Sequence, residues 1–226
     1  MEKGVLSLVA TPIGNLEDIT LRALRILKEA DYVLCEDTRV TGKLLAHYDV
    51  KNSLRRYDAH TSEGIHNQII NDVIEGKRIA LVSDAGTPGV SDPGVLLVER
   101  AREAGVTIEV IPGASAVTAA VSLAGISGNQ FAFLGFVPQK KGRETFFRTL
   151  SEYSLPVVCF ESTHRILKTL SSLDELYPSA KIYVGRELTK MHEEMIVDTA
   201  GAILAQLEDE PVRQKGEFIL IFDPRM

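Results

Sequence analysis

The sequence is poor in the residues from which several common classes of site are built. Its 226 residues include no tryptophan and only two cysteines, Cys35 and Cys159. Both cysteines lie in apolar runs without zinc-ligand spacing, so we interpret them as reduced core residues of a cytoplasmic protein. The five histidines are scattered and form no metal-binding pair, so no metal site is predicted.

Three widespread motifs of nucleotide and ester chemistry are missing as well. Neither the Gly-x-x-x-x-Gly-Lys-Ser/Thr phosphate loop nor the Gly-x-Gly-x-x-Gly dinucleotide fingerprint occurs. The Gly-x-Ser-x-Gly elbow of serine hydrolases is also absent. These absences leave P-loop enzymes, ordinary dinucleotide enzymes and serine hydrolases without support.

Long apolar runs and an excess of positive charge are two further absences. No run approaches the roughly 20 apolar residues that span a bilayer, and Met1-Glu2-Lys3 leads into a strand pattern rather than a signal peptide. The net charge of −6 argues against a protein that coats nucleic acid with its whole surface, although a local basic patch remains compatible. We therefore expect a soluble cytoplasmic protein with no membrane partner.

Apolar strands alternate with amphipathic helices through the first half of the chain, which predicts an α/β domain with a parallel sheet covered on both faces. In one helix, residues 20–30, we place Leu21, Leu24 and Leu27 on one face. In another, the inward residues are predicted to be Ile65, Ile69, Val73 and Ile74. The second half has hairpin-like spacing near its end, which favours a mixed sheet. The predicted domains are 1–112 and 113–226.

One stretch, residues 81–94, organises this pattern. A buried strand stops before Asp84, and Gly86, Gly89 and Gly94 then alternate with two prolines. Glycine allows a close backbone approach, and ligands of parallel α/β sheets bind at the carboxyl ends of the strands. The loop is also longer than an ordinary strand-to-helix connection. It therefore indicates a ligand-binding loop.

Other polar or Pro/Gly clusters follow the remaining strands. The turns at Pro12 and Ser115 precede helices, whose free N–H groups bind anions such as a carboxylate. Amides, small residues and a few acids suit a cofactor with an amino-acid carboxylate and an adenosine, and are compatible with S-adenosylmethionine. Purely structural roles stay open for two of these clusters. Glu36, Asp37 and Arg39 could form a salt-bridge cluster, and residues 137–143 could be a solvated basic loop.

Several collinear motifs resemble the bacterial methyltransferases of 16S ribosomal RNA, a branch of the tetrapyrrole methylase fold family. They are Ala10-Thr-Pro-Ile-Gly-Asn-Leu-Glu-Asp-Ile-Thr20, Glu36-Asp-Thr-Arg39, Ser83-Asp-Ala-Gly-Thr-Pro88 with Ser91-Asp-Pro-Gly94, Glu161-Ser-Thr-His-Arg165, Arg186-Glu-Leu-Thr-Lys190 and Lys215-Gly-Glu217. Each motif alone is weak, but together they run from about residue 4 to residue 222.

The resemblance implies two α/β domains of the tetrapyrrole methylase type, with S-adenosylmethionine in the cleft between them and a homodimer as the assembly. It implies 2′-O-methylation of a cytidine ribose in the decoding region of 16S ribosomal RNA, within the small ribosomal subunit. The cofactor-binding residues it implies are Pro12, Ala85, Gly86, Thr87, Val90, Ser115, Ala116, Glu161 and Leu188.

Removal of a proton from a ribose hydroxyl requires a general base. The candidates are Asp84, Glu187 and Lys190, and we favour the region of the last two. A lysine acts as a base only where its pKa is lowered by burial or nearby cations. Phosphate contacts call for local positive charge; the predicted RNA-binding residues are Arg39, Lys140, Lys141, Arg143 and Arg165.

Two other functions fit parts of this pattern. A methylase of corrins or porphyrins on the same fold would also use basic residues, for its substrate's carboxylates. A non-catalytic ribosome-assembly factor could bind cofactor or RNA without turnover. The Thr-Pro-Ile-Gly-Asn and Arg-Glu-Leu-Thr-Lys motifs fit the ribosomal group better than the tetrapyrrole group, and the complete set of turns argues against a non-catalytic factor.

Overall fold

The computed structural model describes residues 4–126 and 129–225. The chain divides into two compact units, Met1–Ser115 (unit 1) and Ala116–Met226 (unit 2). The division falls just beyond the boundary of 112 and 113 that we placed from the sequence. No helix in the described ranges is both long and apolar enough to cross a membrane.

Unit 1 is a parallel five-stranded sheet with helices on both faces. Its elements are β1 (Val5–Val9), α1 (Leu21–Glu29), β2 (Tyr32–Cys35), α2 (Thr38–His47), β3 (Leu54–Arg56), α3 (Glu63–Ile74), β4 (Arg78–Leu81), α4 (Gly94–Glu103) and β5 (Thr107–Ile111). The strand order is β3-β2-β4-β1-β5, and every neighbouring pair is parallel. This architecture confirms the predicted parallel sheet.

The side chains of β4 point alternately to the two faces of the sheet, which explains why both faces are covered. Ile79 and Leu81 pack with α3 and α4 residues in one apolar cluster. Ala80 and the following Val82 pack with α1 and α2 residues in a second cluster. Successive side chains of a strand point to opposite faces, so a continuous apolar run buries both sides of the sheet.

Unit 2 contains a mixed five-stranded sheet, as the sequence predicted. Its elements are α5 (Ala116–Ala124), β6 (Ala132–Phe136), α6 (Arg143–Thr149), β7 (Val157–Glu161), α7 (Ile166–Leu176), β8 (Lys181–Arg186), β9 (Glu194–Thr199), α8 (Ala200–Asp209) and β10 (Phe218–Phe222). The order is β6-β7-β10-β8-β9, with β6 and β7 parallel and the other pairs antiparallel. Helices α6, α7 and α8 cover one face, and α5 packs on the other.

The structure corrects two predicted helix faces. In α1 the buried residues are Ala23, Ile26 and Leu27, whereas Leu21 is 86% exposed. In α3 the buried stripe includes Ile69 and Val73, while Ile65 and Ile74 are exposed. The reason is helical register: each residue turns the helix by about 100°, so repeated steps of three or four drift around its surface. Leu21 therefore lies about a third of a turn from Leu27, and Ile65 and Ile74 lie on opposite sides of α3.

Two leucines of α1 provide a test of this register. Leu27 is fully buried, so we expect Leu27→Ala to lower the free energy of unfolding by about 2–5 kcal/mol. The matched change Leu21→Ala, at an exposed position of the same helix, should stay within about 0.5 kcal/mol of the wild type. Urea unfolding followed by circular dichroism measures both. Equal losses from the two variants would contradict the observed face.

Candidate functional site

The carboxyl ends of three neighbouring strands meet at one edge of the unit 1 sheet. Strand β1 lies between β4 and β5 and is parallel to both. The loops that leave these strands therefore start side by side: the turn at Pro12, the Gly-rich loop that begins at Ser83, and residues 112–115. All three were predicted from the sequence as ligand loops.

A two-way backbone bridge joins the first two loops. Thr11 N–H donates to Gly86 O at 2.9 Å, and Gly86 N–H donates back to Thr11 O at 3.1 Å. The Thr11 hydroxyl also donates to Ser83 O at 3.1 Å, and the Ser83 hydroxyl contacts Gly86 O at 3.2 Å. The backbone around Gly86 is consequently locked in place before any ligand arrives.

Glycine is required where these loops approach each other most closely. Gly86 has φ of +78°, and a Cβ there would lie 3.3 Å from Ile13 Cγ2. A Cβ on Gly113 would lie only 2.9 Å from the Ala10 Cβ. The Thr87 hydroxyl contacts Ala114 O at 3.4 Å, which ties the second loop to the third.

The predicted cofactor residues of this edge differ in exposure. Ala85 and Val90 are exposed, Thr87 and Ser115 are partly buried, and Pro12 is buried beneath them. Pro12 therefore shapes the turn from below, whereas the other side chains reach the surface of the loops.

The acids of the Gly-rich loop have separate roles. Asp92 accepts hydrogen bonds from Gly89 N–H and Gly94 N–H, both at 2.7 Å, and so forms the turn that begins α4. Asp84 is exposed and accepts from Asp37 N–H at 3.1 Å. Of these two loop acids, Asp84 is the one that faces solvent at the strand ends.

Only part of the salt-bridge cluster that the sequence left open, Glu36 with Asp37 and Arg39, is present in the structure. Asp37 and Arg39 form the expected ion pair at 2.6 Å, and the hydrogen bonds from Arg39 hold the pKa of Asp37 far below its usual range. Glu36 does not join them: burial first, and then the charges of Asp84 and Asp92, raise the pKa of its carboxyl. The position of Glu36 directly after the buried strand β2 was the feature of the sequence that indicated a buried carboxyl.

In unit 2, the motifs at the ends of β7 and β8 meet the start of β10. Phe218 pairs with both Glu161 and Arg186 in the sheet register. Glu187 N–H donates to Glu217 O at 3.0 Å, and Glu217 N–H donates to Glu187 Oε1 at 2.8 Å. Three motifs that lie far apart in sequence therefore share one sheet edge.

Lys190 does not meet the condition for a general base. Its Nζ lies 2.8 Å from Glu187 Oε1 and 3.2 Å from Glu217 Oε2. Burial alone lowers the pKa of Lys190, but the hydrogen bonds and charges of the two carboxylates outweigh it and raise that pKa overall. Burial likewise opposes ionisation of Glu187, yet Lys190 and Glu217 N–H lower its pKa overall. The two favoured base candidates thus form an ion pair with each other.

Of the three cofactor candidates of unit 2, Leu188 and Glu161 have side chains that point into the unit. The Leu188 side chain belongs to the apolar cluster beneath α5, while Ala116, the first residue of α5, is partly buried. The Glu161 carboxylate is fully buried, and Arg143, Arg165 and Thr169 surround it. Its side chain is enclosed by these partners, so the cofactor contact at Glu161, which stays a prediction, would come from the backbone.

The five predicted RNA-binding residues fall into two groups. Lys140, Lys141 and Arg39 are exposed, Arg39 with its ion pair to Asp37. Arg143 is buried, and Arg165 is mostly buried against the Glu161 carboxylate. The last two are structural side chains rather than surface contacts. In residues 4–126 and 129–225, no three His, Cys, Asp or Glu side chains are grouped so as to hold a metal ion.

Comparison with known proteins gives the same assignment along nearly the whole chain. The profile of the tetrapyrrole (corrin/porphyrin) methylases matches residues 5–204. A Neisseria meningitidis serogroup B protein named ribosomal RNA small subunit methyltransferase I is 44% identical over 98% of this chain and 76% of its own length. A Thermotoga maritima protein of the same name is 40% identical over 96% of this chain and 97% of its own length.

Solved structures agree on the fold. Diphthine synthase superposes with a TM-score of 0.75 at 16% identity, covering 96% of this chain and 89% of that one. Cobalt precorrin-4 methyltransferase superposes with a TM-score of 0.71 at 19% identity, covering 97% of this chain and 94% of that one. The chain belongs to the tetrapyrrole methylase family. Within that family, the sequence identities group it with the relatives named ribosomal RNA small subunit methyltransferase I, which confirms the resemblance read from the motifs.

The ion pair of Lys190 has a predictable pH dependence. The lowered pKa of Glu187 makes the pair stabilising above the ordinary carboxyl value of 4.5, and this contribution is lost as the pH falls through the folded-state pKa. We expect Lys190→Met to destabilise the protein by about 1–2 kcal/mol near neutral pH. The loss should shrink below pH 4.5. Urea unfolding across pH 3–8 measures it, and a pH-independent loss would contradict the pairing.

Proposed function

We propose that this protein transfers a methyl group from S-adenosylmethionine to the ribose 2′-oxygen of a cytidine in 16S ribosomal RNA of the small ribosomal subunit. The observation that carries the proposal is the preformed surface made by three loops of unit 1: the turn at Pro12, the Gly-rich loop from Ser83 and residues 112–115. We call this surface the loop floor. It occurs in a chain 44% identical to a protein named as a small-subunit rRNA methyltransferase. The decoding-region nucleotide, the homodimer and the cytoplasmic location are parts of the same proposal.

The residues of unit 1 suit this cofactor. When bound, S-adenosylmethionine supplies an electrophilic methyl group on a positively charged sulfur. Residues 83–94 contain no lysine or arginine, and Glu36 and Asp84 add negative charge at the same edge. Ala85, Gly86, Thr87 and Val90 have small side chains that allow an adenosine to approach the loop closely. Contacts from Ser115, Ala116 and the backbone at Leu188 stay predictions.

Asp84 is the best remaining candidate for the proton acceptor. Its carboxylate is exposed at the strand ends and accepts a hydrogen bond from Asp37 N–H. Glu36 lies nearby, because the charge of Asp84 is among the causes that raise the pKa of the Glu36 carboxyl. A positioned carboxylate can accept the hydroxyl proton as the ribose oxygen attacks, and general bases contribute typically about 10²–10⁴-fold.

Methyl transfer from labelled S-adenosylmethionine to unmethylated small subunits tests the function directly. Mapping the modified nucleotide should locate one cytidine that carries a 2′-O-methyl group. Transfer to a uroporphyrin instead would establish the tetrapyrrole alternative. Binding of small subunits without transfer would establish the assembly-factor alternative.

The loop floor predicts a sharp glycine requirement. Gly86→Ala places a Cβ against Ile13, in a left-handed conformation. We expect the Kd for S-adenosylmethionine, measured by calorimetry, to rise about tenfold or more. Gly105→Ala is the matched control, because Gly105 has φ of +68° but open space around it. Both changes should cost about 1–2 kcal/mol of stability, but only the first should weaken cofactor binding; equal cofactor affinities in the two variants would refute the assignment.

The proton-acceptor role predicts a specific kinetic loss. In Asp84→Asn the side-chain oxygen can still accept from Asp37 N–H, so the loop should keep its shape. We expect kcat to fall by about 10²–10⁴-fold, with the KM for S-adenosylmethionine within about twofold of the wild type. A rate that stays within about twofold would remove Asp84 from the chemistry.

A further inference from the structure

We propose that Phe136, Lys140 and Lys141 form one docking surface for an unpaired nucleotide of RNA, and that the buried carboxylate of Glu161 holds this surface in shape. The proposal rests on the proposed function and adds to it the substrate contacts of unit 2. We call these three residues the docking surface.

The aromatic part of this surface is the exposed ring of Phe136, which packs against the ring of Phe160. Phe136 is the last residue of β6 and is 53% exposed. Its ring centroid lies 5.3 Å from that of Phe160, whose other neighbour is Phe133 at 5.0 Å. The pairing of β6 with β7 shifts register between Phe133 and Phe136, and Gly135 there has φ of +67°. Such an irregularity re-aims a side chain at a strand end.

The charged part follows directly. Lys140 and Lys141 are exposed, in a protein whose net charge is −6. Residues 132–143 contain no acidic side chain. The next acid, Glu144, pairs with Arg148 at 2.9 Å. The positive charge of the two lysines is therefore available to an anion from outside.

The loop that carries the lysines is anchored at its start. Val137 N–H donates to Phe160 O at 3.0 Å, which ties the loop to β7. Arg165 donates to Val137 O at 2.8 Å, and Arg143 donates to Pro138 O at 3.1 Å. Both arginines reach the loop backbone from inside the unit, so the loop is held without using Lys140 or Lys141.

Glu161 is the common partner of the two arginines. Its Oε1 lies 2.8 Å from Arg165, and its Oε2 accepts from Thr169 at 2.5 Å and lies 3.5 Å from Arg143. Removing this carboxylate would leave two buried cations without their counter-charge. Glu161 is thus a positioning residue, which acts on the docking surface through Arg143 and Arg165.

The combination of a supported aromatic face with neighbouring lysines matches single-stranded RNA. Bases stack on exposed aromatic side chains, and lysines neutralise the phosphates beside them. A base stacks on a protein ring only where it is not already stacked within a regular helix, so an unpaired nucleotide is the form that this surface fits.

Binding to unmethylated small ribosomal subunits at several salt concentrations tests the surface, with the KM for subunits and for S-adenosylmethionine measured in parallel. We expect Phe136→Leu to raise the Kd for subunits by at least about fivefold, and Phe136→Tyr to restore it. Lys140→Gln should reduce the slope of log K against log salt by about 0.7. Lys181→Gln is the control, because Lys181 is exposed at the opposite end of β8 from Arg186.

The positioning role of Glu161 has its own readout. Glu161→Gln should raise the KM for subunits and leave the KM for S-adenosylmethionine unchanged. If this variant does not fold, Thr169→Val removes one hydrogen bond from the same carboxylate and should shift the KM for subunits in the same direction. A change confined to the KM for S-adenosylmethionine would overturn the positioning role.

Failure of the surface and failure of the function give different results. Wild-type methyl transfer with unchanged binding in Phe136→Leu, or with equal salt slopes in Lys140→Gln and Lys181→Gln, overturns the surface alone. Absence of wild-type transfer with the expected binding losses overturns the methylation and supports the surface. Uroporphyrin that competes for the surface with the same dependence on Phe136 overturns the assignment to RNA.

Discussion

The paired hydrogen bonds between Thr11 and Gly86 are the constraint on which the arrangement of unit 1 depends. They join the loops after β1 and β4, and the contact from Thr87 to Ala114 adds the loop after β5. Because the Thr11–Gly86 bonds are made by backbone atoms, they do not depend on the Thr11 side chain, but they require glycine at position 86. The tie to the loop after β5 requires the Thr87 hydroxyl. A floor set before binding spares the cofactor the entropic cost of ordering these loops.

Unit 2 depends on a buried charge in a comparable way. Glu161 was identified through a resemblance as a cofactor contact, yet its carboxylate is enclosed by Arg143, Arg165 and Thr169. A buried carboxylate is tolerated only when it is paired and hydrogen-bonded. Its partners also hold the backbone at Val137 and Pro138, so one enclosed acid organises two neighbouring loops.

Charge is distributed differently at the two sheet edges. At the edge of unit 1, burial and then the charges of Asp84 and Asp92 raise the pKa of the Glu36 carboxyl. At the edge of unit 2, Lys190 is neutralised by Glu187 and Glu217. A lysine between two carboxylates keeps its proton, whereas a buried carboxylate close to other carboxylates takes up a proton more readily. This difference moves the search for the base from the second unit to the first.

The sequence by itself was enough for much of the fold. Continuous apolar runs such as Tyr32–Cys35 predicted strands buried on both faces, and the Gly/Pro clusters predicted loops at their ends. The helix faces of α1 and α3 were less predictable, because several apolar residues lie outside the buried stripe and only the packing shows which ones the sheet covers. Leu21 and Ile74 are the clearest examples.

What the sequence alone determined was the order of strands and helices, the positions of the Gly/Pro-rich loops at the strand ends and the family, since these follow from local patterns and collinear motifs. What only the tertiary structure decided was the state of each charged side chain. Glu161, Arg143 and Lys190 look like surface site residues in sequence, but each has at least one ion-pair partner from a distant part of the chain. The burial and the ion pairing of a side chain depend on the whole fold. They decide whether a charged residue can bind a ligand, take part in catalysis or stabilise the structure around it.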